Sequence, residues 1–402
     1  MISKKSVSTA WRPRISVTVR AALTGLTALA ALTALPAKAV ALAPRGYDQA
    51  ALRNDVDEIL SVGLTGVQAR VTTPSGDWVA TSGVADRASG RPVPPDGWFR
   101  TGSTTKAFVS TVLLQLAGEG RLRLTDPVDR WLPGLARGEA RRMTIREVMQ
   151  HTAGLYDGDF PDYPTAAVYY RHRYDIRHPE RLVVAAMRHK PDFPPGTAWS
   201  YSNTGYLLLG MVIQRVTGRP WYEEVNDRII RPLGLRHTRW PGSSPHIPLP
   251  HADGYERFAP GGPLVDVTQL IDADASGGLL STTADLDRFV RALFGGRLLS
   301  RSELAEMLRT VPVDADTAQI WPGARYGLGL FSRPLSCGGR YWTPSGDQQG
   351  YKTRVGISAD GRRSVVISMS TQLSDSLTSA LRQEAAANTL VDHAVCDVPA
   401  NA

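Results

Sequence analysis

Apolar residues at Leu52, Val56, Ile59 and Leu60 repeat at helical spacing and predict an amphipathic helix over residues 47–60. Two runs of strand character follow, 66–72 and 77–84, with Pro74-Ser75-Gly76 as the turn between them. After the Pro-rich loop 91–96, an extended run at 97–101 leads into a second helical pattern, Phe108, Val109, Val112, Leu113 and Leu116, which Gly118 and Gly120 end. The middle of the chain changes character. Thr144-Ile145-Arg146-Glu147 has the spacing of a capping box, a helix is expected near 181–188, and 206–216 is strongly helical with Gly218 behind it. Strand signals are scarce from Asp126 to Pro250. Farther on, helices are expected over 283–293 and after Ser300-Arg301-Ser302-Glu303. Strand patterns then dominate at 326–331, 339–342, 351–357 and 364–371, with Asp360-Gly361 as a hairpin turn, before a last helix over 377–393.

Both ends of the chain thus supply strands and the middle supplies helices. The expected fold class is α+β, an antiparallel sheet flanked by helices with a mostly helical inserted domain. We place the sheet domain at 40–125 and 265–402 and the helical domain at 126–264. No internal repeat or low-complexity tract interrupts this plan.

Composition changes the picture only once the first 39 residues are set apart. Lys4, Lys5, Arg12, Arg14 and Arg20 precede an apolar run, 21–35, and the small-residue site Ala37-Lys38-Ala39, the pattern of a secretory signal peptide. The run is too short to span a bilayer, and no later segment is long and apolar enough, so a secreted protein with no transmembrane anchor after cleavage is expected. The 402-residue chain has a formal charge of +8, and six of its basic residues lie in that segment, which holds no acid. The remainder carries about +2, so charge gives no support to a nucleic-acid partner. The two cysteines, Cys337 and Cys396, read in an exported protein as a disulfide tying the C-terminal end to the preceding sheet.

Candidate chemistry begins at Thr101-Gly102-Ser103-Thr104-Thr105-Lys106, where Ser103 stands at a helix start and Lys106 lies one turn on along the same face. An amine in reach of a serine hydroxyl can accept its proton, and unpaired amides at a helix start favour an oxyanion. Ser-x-x-Lys alone occurs about once by chance in a chain of this length, and a serine at a helix start also serves as a cap. Tyr201-Ser202-Asn203 opens the second long helix with a phenol and an amide. If Lys106 lowers its pKa, Tyr201 can take the Ser103 proton and pass it to a leaving group, while Asn203 orients Lys106 and the substrate amide. His151 reads as a structural residue closing its helix. His237, His246 and His251 are too unevenly spaced in Pro-rich loops for a metal site, and neither metal nor organic cofactor is expected. Phe160, Tyr169 and Tyr170 line the cleft or pack on the surface.

Ser103-Thr104-Thr105-Lys106 and Tyr201-Ser202-Asn203, with their separation, resemble the first two signatures of the serine penicillin-recognising enzymes, the class C beta-lactamase and DD-carboxypeptidase group. Leu113-Leu114-Gln115-Leu116, Trp131-Leu132-Pro133-Gly134-Leu135, 151–156, Arg231-Pro232-Leu233-Gly234-Leu235, 277–282 and Tyr326-Gly327-Leu328-Gly329-Leu330 extend the similarity over nearly all of the chain after the signal segment. It is greatest to the extracellular DD-carboxypeptidase/transpeptidase type, in which Cys337 and Cys396 stand where a disulfide does. The third signature corresponds to Pro344-Ser345-Gly346-Asp347. Ser345 and Gly346 fit, the Asp347 amide is expected to join that of Ser103 as an oxyanion hole, and Pro344 replaces a lysine or histidine. Phe331 replaces an arginine that would hold a C-terminal carboxylate, a task left to Arg333 or Arg354. The resemblance implies an acyl-enzyme at Ser103, with Lys106 and Tyr201 handling protons, and a peptidoglycan stem peptide ending in D-Ala-D-Ala as substrate, with beta-lactams as acylating mimics. It also implies the alternatives of a beta-lactamase or esterase of the same fold, or a binder impaired by Pro344. A monomer is expected.

Overall fold

In the computed structural model of this chain the described residues are 46–136, 138–157 and 163–397. The expected signal segment, 1–39, and Phe160 lie outside them.

The main sheet, among the described residues, runs in the order Gly76–Gly83, Gly66–Thr73, Ser364–Met369, Tyr351–Ser358, Arg340–Thr343, Phe331–Pro334, Arg325–Tyr326 and Val311–Pro312, and the short strand Gly346–Gln348 pairs with Tyr351–Ser358. Every pairing is antiparallel. The N-terminal hairpin lies beside a C-terminal strand, with Val67 opposite Met369, so the two ends of the chain close the sheet together. Alternation along Ser364–Met369 serves both faces. Val365, Ile367 and Met369 pack with Leu52, Val56, Leu390 and Val391 of the first and last helices, Gln49–Ser61 and Leu377–Cys396. Val366 faces the other way, toward Leu286, Phe289 and Val290 of the Thr283–Phe294 helix.

The helix Thr105–Gly118 is mostly apolar and buried along nearly its whole length, as expected of a helix inside the core rather than on it. Phe108 stacks on Phe289 at 3.7 Å on one side, and the helices of the middle segment cover the other. These include Ile145–Met149, Pro179–Ala186 and Asn203–Thr217, whose Val148, Val183, Leu208 and Val212 belong to the same apolar cluster as Val112 and Leu113. Both capping boxes form, at Thr144 with Glu147 and at Ser300 with Glu303. Cys337 and Cys396 are bonded, with Cα atoms 5.9 Å apart, and tie the last helix to the sheet. Among the described residues no helix is long and apolar enough to cross a membrane.

Two expected strands differ. The run 326–331 is not one strand but the bend between Arg325–Tyr326 and Phe331–Pro334. Gly329 has φ +89°, and a Cβ there would lie 2.4 Å from Ser110 Oγ, so the bend folds onto the central helix and only glycine fits. The run 364–371 breaks at Ser370, after which Thr371–Leu373 pairs in parallel with Tyr255–Arg257 instead of continuing in the main sheet.

Candidate active site

Ser103 sits on a single 3₁₀ turn, Gly102–Thr104, that feeds the central helix. Neighbouring hydroxyls fix this turn. Thr101 Oγ1 donates to Leu279 O at 2.9 Å, and Thr104 Oγ1 donates to Pro344 O at 2.7 Å. Gly102, at φ +52°, brings its backbone against Asp347, and a Cβ on Gly346 would lie 2.6 Å from Ser103 N and 2.1 Å from Thr101 O. The strand Gly346–Gln348 therefore touches the serine turn backbone to backbone.

Lys106 is 1 % exposed. Its Nζ donates to Ser103 Oγ at 3.0 Å, to Asn203 Oδ1 at 2.8 Å and to Ser276 O at 2.8 Å, three neutral acceptors for its three protons. Burial brings its pKa down to about 7, against the opposing charges of Asp274, Asp157 and Asp272. Ser276 is held in turn by Asp274, whose Oδ1 accepts from Ser276 N at 2.7 Å and Ser276 Oγ at 2.6 Å.

Tyr201 and Asn203 stand where the chain enters the Asn203–Thr217 helix, with Ser202 capping Gly205 N at 3.1 Å. Asp157 adds a carboxylate at this helix start, accepting from Asn203 N at 3.0 Å and Thr204 N at 2.7 Å. The Tyr201 phenol shares the cavity with Ser103, and the Lys106 amine lies 4.9 Å from its ring centre. The expectation that Lys106 lowers the pKa of Tyr201 is corrected here. Burial raises it well above the usual value, so the phenol keeps its proton, while burial lowers the pKa of Lys106 and makes the amine the readier group to give up its charge. His151, buried at φ +61°, packs its ring 4.3 Å from that of Tyr201 and accepts from Ser202 N at 3.2 Å. Burial and the Lys106 charge hold it neutral, in keeping with a structural role.

Ser103, Tyr201, Asn203, Ser345, Gly346 and Asp347 line one cavity of about 390 Å³. Its remaining wall includes Trp199, Trp321, Phe331, Lys352, Arg354 and Glu384, which the motifs do not contain. Of the two arginines considered for a carboxylate, Arg354 reaches this wall, whereas Arg333 lies 5.3 Å from the Trp321 ring and bonds Asn388. Pro344 contributes its carbonyl to Thr104 and no charge. Tyr169 is buried with Tyr163, Val267 and Leu270, and Tyr170 donates to Asp266 O, so neither lines this cavity. His237 donates its backbone amide to Asp285, His251 bonds Pro248 O through its ring, and among the described residues no cluster of His, Cys, Asp and Glu could hold a metal ion. Asp157 and Glu384 make their bonds across the chain and no local spacing marks them, whereas Asp274 bonds two residues on, at Ser276.

Penicillin-binding protein 4 of Amycolatopsis lactamdurans is 31% identical over 253 residues, 59% of this chain and 63% of that protein. Esterase EstB of Burkholderia gladioli is 34% identical over 186 residues, 43% of this chain and 46% of that protein. The chain therefore spans less than two-thirds of the length of either relative. Among solved structures, a D-stereospecific amidohydrolase from a Streptomyces species superposes with a TM-score of 0.74 at 37% identity, covering 84% of this chain and 98% of that one. With residues 49–389 matching throughout, from the first helix to the last, the chain belongs to the Beta-lactamase family.

Proposed function

We propose that this chain is a secreted active-site serine hydrolase that forms an acyl-enzyme at Ser103 on amides or peptides of D-amino acids. The D-Ala-D-Ala carboxypeptidase/transpeptidase activity implied by the sequence falls within this class, and beta-lactams would acylate the same serine. The observation that carries the reading is the buried Lys106 amine 3.0 Å from the Ser103 hydroxyl, its charge weakened by burial. Neutral Lys106 takes the hydroxyl proton as Oγ bonds to the carbonyl carbon. The amides of Ser103 and Asp347 hold the oxyanion. When the carbon–nitrogen bond breaks, Tyr201 gives its proton to the departing nitrogen and regains one from the Lys106 ammonium. Water then releases the acyl group by the reverse relay. Asn203 keeps the amine aimed at Ser103 and presents its amide group to the substrate. Similarity to a D-stereospecific amidohydrolase supports the substrate class.

Pro344 favours a second reading, a peptidoglycan or penicillin binder without turnover, because it places no cation beside the serine. Intact-mass spectrometry after incubation with penicillin and with D-phenylalanine amide separates the two. The hydrolase gives a covalent penicillin adduct that Ser103→Ala abolishes, and releases D-phenylalanine. Equal non-covalent retention by wild type and Ser103→Ala, with no product, would refute the hydrolase.

A further inference from the structure

The cavity beside Ser103 continues past Tyr201 toward the last helix, and at that end its charges are already matched. Lys352 Nζ lies 3.0 Å from Glu384 Oε1 and 3.3 Å from Asp347 Oδ2. Arg354 donates from Nε to Glu384 Oε2 at 3.0 Å and from an Nη to Asp347 Oδ1 at 2.6 Å. Burial opposes the charge on Glu384, yet Arg354 and Lys352 overcome it and hold its carboxyl below the usual range. Two cations face two carboxylates, and the Trp321 indole donates a further hydrogen bond to Glu384 at 3.1 Å.

The rest of this end is apolar. Phe331 packs edge-to-face on Trp321 with 4.6 Å between ring centres, and Trp199 lies 6.3 Å from Phe331. At the mouth, Ile320 and Leu377 are 40 % and 53 % exposed, which leaves unpartnered apolar surface where a substrate would arrive. The Tyr201 ring is 6.4 Å from that of Trp199, and a group that leaves by taking the phenol proton departs on this side.

We propose that this end of the cavity takes an uncharged, apolar leaving group, so that the substrate is an amide or ester whose departing amine or alcohol bears no carboxylate, and that Glu384 sets the preference by neutralising Lys352 and Arg354. The inference rests on the serine-hydrolase reading and narrows it. A carboxylate here loses its hydration and meets two carboxylates along with the two cations, with no unpaired positive charge in return. An aromatic or branched group buries its surface against Trp199, Trp321 and Phe331 at no such cost.

Three substrates read this out on the full chain: N-acetyl-D-alanyl-D-alanine, its C-terminal amide, and N-acetyl-D-alanyl-D-phenylalanine amide, with penicillin labelling of Ser103 measured in parallel. The amide is expected to exceed the free acid in kcat/KM by at least about tenfold, and the phenylalanine amide to exceed the alanine amide severalfold. Glu384→Gln, which leaves the cations under-compensated, should shift the acid-to-amide ratio toward the acid by about tenfold, a change that general destabilisation would not produce. Should that variant fold poorly, Phe331→Arg supplies a new cation at this end of the cavity and should move the ratio the same way. A wild type that labels with penicillin but prefers the free acid overturns this inference alone, as does a ratio unmoved in both variants. A wild type that neither labels nor cleaves any of the three overturns the hydrolase reading beneath it.

Discussion

Lys106 and Lys352 are two buried lysines, one bonded to Ser103 and the other lining the cavity beside it, and their surroundings give them opposite roles. Lys106 meets three neutral oxygens and, among the described residues, no carboxylate within pairing distance, so burial weakens its charge and leaves an amine that can accept a proton. Lys352 meets Glu384 and Asp347 and is locked into ion pairs between the sheet and the last helix. Burial alone makes neither a base nor a strut. The nature of the acceptors decides, and it divides the cavity into a reactive floor and a charge-matched wall.

Replacing each lysine tests this division most severely. Lys106→Ala should slow penicillin acylation by about 10²–10⁴-fold while leaving the thermal transition near that of wild type, because the base is lost and no ion pair is broken. Lys352→Met should act chiefly on folding. Removing one partner of a buried pair costs about 3–5 kcal/mol, read as a lower denaturant midpoint. If Lys352→Met leaves stability unchanged and Lys106→Ala leaves acylation unchanged, the division is wrong.

Gly346→Ala probes the seam between floor and wall. Its methyl group would lie 2.1 Å from Thr101 O and 2.7 Å from Thr104 N, all rigid backbone, so the strand has to move away from Ser103. A displacement of about 1 Å is enough for a loss of about 10²-fold in kcat/KM with folded far-ultraviolet dichroism retained. Near-normal turnover in this variant would show that the Gly346 strand does not help form the oxyanion site.

The floor was legible in the sequence because its parts are local. Ser103 and Lys106 are one helical turn apart, and Tyr201 and Asn203 flank a helix start recognisable from Ser202 and the apolar run behind it. The wall was not. Glu384 meets Arg354 and Lys352 across about thirty residues, and on a helix of alternating polar and apolar positions a glutamate reads as solvent-facing. Asp157 is likewise 46 residues from the amide of Asn203 that it receives. At 326–331 the alternation of Tyr326, Leu328 and Leu330 imitates a strand, yet both leucines are buried by a bend whose need for glycine at 329 only the packed central helix reveals. Patterns report periodicity within an element. They carry little about which distant element will neutralise a charge or press on a turn.

The smallest effect concerns how the floor titrates. Lys106 must be neutral to accept the Ser103 proton, so kcat/KM should rise with pH through about 7 and fall away below it, where the amine is protonated. Asp274, itself raised to about 7 by burial and the neighbouring Asp272, favours the Lys106 ammonium when ionised. Asp157 and Asp272 act in the same sense, while the phenols of Tyr201 and Tyr206 and the ring of His151 stay neutral around the amine. As pH falls, Asp274 takes up a proton in the range where Lys106 does, and each event weakens the other, so the wild-type limb should be broader than a single ionisation. Asp274→Asn removes the negative charge at every pH. Lys106 then loses its proton more readily, and the limb should move to lower pH and sharpen toward a one-proton curve. Because an amide oxygen can still accept from Ser276, the plateau should change less than the midpoint. A midpoint that stays in place or moves upward in this variant would mean that the Asp274 charge is not felt at Lys106, and that the neutral oxygens around the amine set its basicity by themselves.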